Sequence, residues 1–394
     1  MTNNLIARLS KDLEAADAAG TYKRLTTIES PIGHRIWLKD KGEVILLSSN
    51  DYLGLANDPE VVSTARDALL SFGASTASVR FICGTQSVHK ALEDHLATFH
   101  GTEAALTYSS CWAANTGLFA AICGPGDVIL SDELNHASLI DGIRMTGKEV
   151  VRKVYKHSDM KDLEAKLKEY QGAPSRMIVT DGVFSMEGDI ALLDKIVSLA
   201  KQYDALVILD DSHGLGVMGE TGHGTAEHFG VMAGIDIFTG TLGKALGAGT
   251  GGFVAGPKAI TETLIQKSRP HLFSNALPAS VAAAGSKSLE ILERHPERVK
   301  HLQEKAVNFR ARLKELGLNP LDGDSAVVPV IVGETSTAIR LASELLDQGI
   351  FVTGFGFPVV PEGEARLRFQ VSAAHTEAEL EDAAKKLQNC LAAA

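Results

Sequence analysis

Between Ala104 and Ala255, short apolar runs alternate with amphipathic helical segments, and this rhythm constrains the fold more than any other feature of the 394-residue chain. Strand-like runs fall at Ala104 to Tyr108, Asp127 to Ser131, Arg176 to Thr180, Ala205 to Asp210, Ile235 to Thr239 and Gly252 to Ala255. Helical patterns at Ala137 to Met145, Met160 to Tyr170 and Leu193 to Tyr203 separate many of them. Strands joined by helices must run largely parallel, because each helix returns the chain to the edge from which the strand started. The expected class is therefore α/β, a mostly parallel sheet covered by helices.

The flanks read differently. From Asn3 to Ala19 the apolar residues recur at helical spacing and Gly20 stops the helix, while Ile36 to Leu38 and Val44 to Leu47 read as a hairpin. The helix Ser87 to His100 places Val88, Leu92, Leu96 and Phe99 on one face. After Pro278 come long amphipathic helices, Val281 to Glu293 and Glu297 to Leu316, and the strands Val327 to Val332, Phe351 to Thr353 and Leu367 to Val371. The expected division is an N-terminal arm over 1–50, a large domain over 51–277 and a smaller α+β domain over 278–394.

Composition removes several functions. Lys plus Arg number 38 against 49 Asp plus Glu, a net charge of -11, and such a field repels a phosphate backbone, so nucleic acid is not an expected partner. No apolar run is long enough to span a bilayer, and Met1 to Gly20 mixes charges among small residues unlike a leader peptide; a cytoplasmic location is expected. Cys83, Cys111, Cys123 and Cys390 lack the paired spacing of zinc sites or disulfide frameworks, so no metal is expected.

The chemistry-bearing residues gather just after the strands. Ser109-Ser110-Cys111-Trp112 follows the first, Asn135-His136 the second, Asp181 and Ser185 the third, Asp210-Asp211-Ser212-His213 the fourth and Thr241-Leu242-Gly243-Lys244 the fifth. In an open α/β sheet, ligands bind beyond the carboxyl ends of the strands, so five segments deliver side chains to one place. Singly, each has a plain structural reading: His136 as a helix-start residue, Ser185 as a turn hydroxyl, Asp210 as a cap and Lys244 as a solvated surface lysine. The setting of Lys244 among Gly240, Gly243, Gly247, Gly249, Gly251 and Gly252 tips the balance, because glycines permit close backbone approach. It is not a P-loop, whose first glycine and final hydroxyl would fall on Phe238 and Ala245. Nor is it a dinucleotide fingerprint, since Phe253-Val254 follows instead of a helix.

A carboxylate such as Asp210 beside a pyridine nitrogen keeps it protonated and able to accept a carbanion's electrons. His213 is placed to bond a ring hydroxyl, and His136 to stack on the ring. Ser110 to Trp112, opening a helix, suit a phosphate. Lys244 supplies the amine that forms an imine.

With Gly240 to Lys244, Asp210 to His213, Asn135 to Ser138 and Val183 to Met186 all present, the chain resembles the α-oxoamine synthase family of fold-type I pyridoxal-phosphate enzymes over nearly its full length. The resemblance implies pyridoxal 5'-phosphate as cofactor and an acyltransferase joining an amino acid to an acyl-CoA. It also implies a homodimer with shared active sites. Ser78 to Gln86, Ser268 to Asn275 and Thr353 to Gly363 resemble members that use glycine and acetyl-CoA, which would place the reaction in the breakdown of threonine to glycine; a longer acyl-CoA is the alternative. Carried over by position, the resemblance implies catalytic roles for Lys244, His136, Asp210 and His213. It gives the cofactor to these four with Ser185, Ser110, Cys111, Trp112 and Thr241, joined by Ser274 and Asn275 of the second subunit. It gives the substrate carboxylate to Arg368, whose fork a lysine could not replace, with Asn50 nearby. Gly356, where a bulkier residue is expected for an acetyl-selective enzyme, is read as leaving room for a longer acyl chain. A non-catalytic relative would lack the imine lysine, and Lys244 is present.

Overall fold

The computed structural model describes residues 4–392. It divides into two compact units: one of residues 50–304 with 323–326, the other of 1–49, 305–322 and 327–394. The division at 49/50 falls one residue from the expected end of the arm, whereas the expected boundary at 277/278 has no counterpart. The residues of the expected arm cluster with the C-terminal segments, and Ala279–Arg294, a helix expected in the small domain, belongs to the larger unit. Periodicity identifies elements but not their partners, and partners define a unit.

In chain order the strands are β1 (Arg35–Leu38), β2 (Gly42–Leu46), β3 (Ala104–Tyr108), β4 (Val128–Asp132), β5 (Val151–Tyr155), β6 (Arg176–Asp181) and β7 (Leu206–Asp210). There follow β8 (Ile237–Thr241), β9 (Gly252–Gly256), β10 (Val327–Gly333), β11 (Ile350–Phe351), β12 (Thr353–Phe355) and β13 (Ala365–Gln370).

The larger unit is built on a seven-stranded sheet of order β3-β9-β8-β7-β6-β4-β5. All neighbouring pairs from β8 to β5 are parallel, and β9 alone runs against its neighbours β3 and β8. The inner strands of this sheet are buried on both faces, β6 and β9 along their whole length, because helices cover both. Leu106, Ile129, Met177, Val179, Ile208, Ile237 and Val254 pack with Leu118 and Phe119 of the Cys111–Ile122 helix and with Leu139 of the Ala137–Arg144 helix. Full burial of side chains this size contributes about 1.5–3 kcal/mol each, which makes the sheet a stiff base for the loops at its edge. The edge strand β5, with three consecutive exposed residues, was not legible from alternation.

In the other unit, β1 and β2 form the expected hairpin, and β2 also pairs in parallel with β11 (Ile45 opposite Ile350), giving a three-stranded sheet with Ile36, Leu38, Val44 and Leu46 buried beneath it. The helix expected over Asn3 to Ala19 is present as Asn4–Ala18; Asn3 lies outside the described residues. A second sheet of order β10-β13-β12 is antiparallel throughout.

Candidate active site

The order of the sheet sets where a ligand can go. The chain lays down β4, moves outward to β5, then returns to place β6 on the other side of β4. The two connections leave in opposite directions and open a crevice at the carboxyl ends of the strands. A cleft of about 230 Å³ lies there, lined by Ser110, Cys111, Trp112, His136, Ser138, Asp181, Ser185, Asp210, Ser212, His213, Thr241 and Lys244. Five loops, after β3, β4, β6, β7 and β8, thus meet in one place, as the positions of the polar residues imply.

Asp210 ends β7 and is buried. Its Oδ2 accepts a hydrogen bond of 2.6 Å from Asn115 Nδ2, and its Oδ1 accepts the Ser212 backbone N–H at 3.0 Å. Asn115 also donates to Ser138 Oγ at 2.9 Å. An amide donor holds the carboxylate in the orientation the cleft needs without neutralising it. Asn115 carries no signal of its own in the sequence; one helical turn beyond Cys111, it shares that residue's helix face. Ser138 sits within the Asn135 to Ser138 segment, yet its link to Asp210 through Asn115 depends on the packing of two helices.

His136 precedes the Ala137–Arg144 helix, and its Nδ1 lies 2.8 Å from Ser138 Oγ. Its backbone N–H donates to Asp181 Oδ2 at 2.6 Å, tying the β4 loop to the end of β6. The ring is open to the cleft and stands edge-on to Trp112, 6.0 Å between centroids. Partial burial lowers its pKa, with Asp210 pulling upward and Lys244 downward, so near neutral pH it presents a neutral ring. Burial, then the charge of Asp210, raises the pKa of Asp181. The same two effects raise that of the Cys111 thiol, which is therefore not a nucleophile. His213 Nδ1 is 2.8 Å from the hydroxyl of buried Tyr52, a second orienting residue that sequence reasoning did not single out.

The glycines around Lys244 serve the protein's own backbone. A Cβ on Gly252 would lie 2.2 Å from Cys111 N, and one on Gly247 2.4 Å from Ala56 N. Because β9 is antiparallel, its first residue lies at the carboxyl edge of the sheet and fits against the start of the Cys111–Ile122 helix, with Ser110 bridging Gly251. That helix start presents N–H groups before any intrahelical acceptor exists, and Ser110 Oγ caps the N–H of Ala113 at 3.1 Å.

Four expected contributors, Ser274, Asn275, Asn50 and Arg368, are not among the residues lining this cleft; Ser274 and Asn275 are exposed, and Asn50 is half-buried. Arg368 belongs to the other unit, where its guanidinium stacks over Phe355 at 4.6 Å. The room read into Gly356 is not there. A Cβ at this position would lie 2.3 Å from Thr335 Oγ1 and 2.7 Å from Thr335 Cβ, so the space belongs to a neighbouring side chain.

A mostly parallel sheet with a cleft at its carboxyl edge, where an amine, a buried carboxylate and an open imidazole meet, fits the class of fold-type I enzymes. The chain belongs to the family of class I and II aminotransferases, whose model matches residues 42–387. It is 48% identical over 378 residues to 2-amino-3-ketobutyrate coenzyme A ligase of Salmonella typhimurium, covering 95% of this chain and 94% of that protein. It is 46% identical over 375 residues to 8-amino-7-oxononanoate synthase of Exiguobacterium sibiricum, covering 95% of each. Serine palmitoyltransferase of Sphingomonas wittichii superposes with a TM-score of 0.93 at 30% identity, over all of this chain and 98% of that one. No helix among the described residues is long and apolar enough to cross a membrane.

Proposed function

We propose that this protein is a pyridoxal-phosphate-dependent acyltransferase that interconverts glycine and acetyl-CoA with 2-amino-3-ketobutyrate and CoA. The observation that carries the proposal is the joint presence in one cleft of the Lys244 amine and the Asp210 carboxylate, with His136 open beside them. The residues fit the cofactor. A helix start with uncommitted N–H groups suits its phosphate, a fixed buried carboxylate its pyridine nitrogen, and a neutral ring its aromatic face. When bound, the cofactor supplies an aldehyde that takes an amine and a protonated ring that accepts the electrons released at the α-carbon.

The chain's own residues then divide the work. Ser110, Cys111, Trp112 and Thr241 hold the phosphate, together with the partner subunit's Ser274 and Asn275, which the exposure of these residues in a single chain leaves available. Asp210 keeps the ring nitrogen protonated, steadied by Asn115. His213 and Ser185 would bond the ring oxygen, and His136 would pack on the ring face. Arg368, with Asn50, would bind the substrate carboxylate, and the Lys244 amine would take the proton from the α-carbon. The deprotonated α-carbon would then displace CoA at the thioester carbonyl, the C–S bond breaking as the C–C bond forms and the Lys244 ammonium returning its proton to the departing thiolate. The protein works in the cytoplasm as a homodimer, in the conversion of threonine to glycine. The 48% identity to a ligase over 95% of the chain favours the glycine and acetyl pair.

The test is direct. Purified protein given pyridoxal phosphate should turn yellow, and borohydride should trap the cofactor on the tryptic peptide containing Lys244. Turnover of glycine with acetyl-CoA should exceed that of alanine with pimeloyl-CoA, and Lys244→Ala should abolish it in a protein that still folds. Label on a different lysine, or turnover retained in the variant, would refute the assignment.

A further inference from the structure

His157 lines no part of the cleft, yet both of its ring nitrogens are held by carboxylates. Nδ1 is 2.9 Å from Asp132 Oδ1, and Nε2 is 2.9 Å from Asp189 Oδ2. Two acceptors at once require both nitrogens to donate, which only the imidazolium can do. Burial opposes that charge, but the hydrogen bonds to Asp132 and Asp189 outweigh it and raise the pKa to about 10. The ring also stands edge-on to Phe184, 4.4 Å between centroids at 82°.

The two carboxylates belong to the two segments that supply His136 and Ser185 to the cleft. Asp132 is the last residue of β4 and opens the turn that leads to His136; it also accepts the N–H groups of Leu134 at 2.9 Å and Ser158 at 3.2 Å. Asp189 closes the tight turn that starts at Phe184 and carries Ser185. In that turn Phe184 N donates to Asp189 O at 3.0 Å and Gly188 N to Phe184 O at 2.8 Å. Asp189 Oδ1 is buried with no hydrogen-bond partner, so without His157 the carboxylate would be left poorly compensated. The loop after β5 contributes no lining residue; the Ser158 N–H also ties it to Asp132, but the His157 side chain is what joins it to Asp189.

We infer that His157 is a positioning residue, clamping the segment that carries His136 to the turn that carries Ser185 and so setting the spacing of the walls that grip the cofactor ring. This inference rests on the reading of the cleft as a pyridoxal-phosphate site. It requires that loss of the clamp loosen cofactor binding and alter the environment of the ring oxygen.

The experiment compares wild type, His157→Asn and the double variant His157→Asn/Asp189→Asn, each loaded with pyridoxal phosphate. The single variant should bind the cofactor about tenfold more weakly or worse, as expected when hydrogen bonds to charged groups are lost. Its visible absorption band, or the pH midpoint of that band, should move. The double variant, which no longer leaves the half-buried Asp189 carboxylate without its cationic partner, should regain part of the affinity. Should His157→Asn not fold, Asp189→Asn alone, which takes the charge from the Nε2 arm and weakens it, should show the same changes to a smaller degree. Wild-type affinity within twofold and an unmoved band in a variant that has lost only thermal stability would overturn the inference. Backbone hydrogen exchange over residues 184–190 in cofactor-free protein separates the two readings. Wild type that binds no pyridoxal phosphate defeats the cofactor assignment, whereas exchange unchanged between wild type and His157→Asn defeats the clamp.

Discussion

Asp211, next to the carboxylate that faces the cleft, offers a measurable pH signature. Its side chain is fully buried and accepts hydrogen bonds from Thr225 N at 2.7 Å and Thr225 Oγ1 at 2.5 Å. Glycines pack around it so closely that a Cβ on Gly182, Gly214 or Gly224 would lie 1.9 to 2.2 Å from its oxygens. Burial raises its pKa from 3.8 to about 7, more than the two Thr225 hydrogen bonds lower it, and the charge of Asp210 adds to the rise. Between those limits the folded protein keeps a proton that an opened segment releases. The sign follows from linkage: this group's contribution is most favourable at or below pH 3.8, declines as pH climbs, and levels off above about 7. Roughly three pH units at 1.36 kcal/mol each amount to about 4 kcal/mol, or about a thousandfold in the local opening equilibrium. Asp211→Asn keeps the shape and removes the titration. Hydrogen exchange of peptides spanning 211–226, corrected for intrinsic rates, reads local opening without requiring two-state unfolding of the whole chain. The ratio of wild-type to variant protection should fall steeply from pH 4 to 7, approaching that thousandfold. A ratio constant within threefold over the range would refute the argument.

Three other outcomes are expected. Gly252→Ala forces a methyl onto Cys111 N at 2.2 Å, a backbone contact that cannot swing away; thermal melting should show a loss of about 1–3 kcal/mol, and pyridoxal phosphate titration weaker binding. Asn115→Ala removes the 2.6 Å hydrogen bond to Asp210, and urea denaturation should register about 1.5–3 kcal/mol, the usual worth of a hydrogen bond to a charged group. Gly356→Ala should lower the melting temperature because Thr335 occupies the space; an unchanged melting temperature would show that the room read from the sequence exists after all.

Much of the site was legible because its logic is local. A residue that follows an apolar strand in an α/β pattern must emerge at the carboxyl edge. Ser110, His136, Ser185, Asp210, His213 and Lys244 could therefore be assembled from strand positions alone, and the structure brings all six into one cleft. The family resemblance added the identity of the ligand, which spacing by itself does not give.

What only tertiary structure decided were the relations between segments distant in the chain. Asn115 reaches Asp210, Tyr52 reaches His213, and His157 reaches both Asp132 and Asp189, through contacts that no periodicity encodes. The hairpin of β1 and β2 was visible, but its third strand is β11, some three hundred residues on, and that pairing draws the residues of the expected arm into the same unit as the C-terminal segments. Gly356 shows the same limit in reverse: a missing side chain suggests empty space until the fold reveals Thr335 filling it. Local sequence sets which way each backbone segment runs and which residues it can offer. Which of those offers meet depends on close packing, where a displacement of an ångström makes or loses a hydrogen bond.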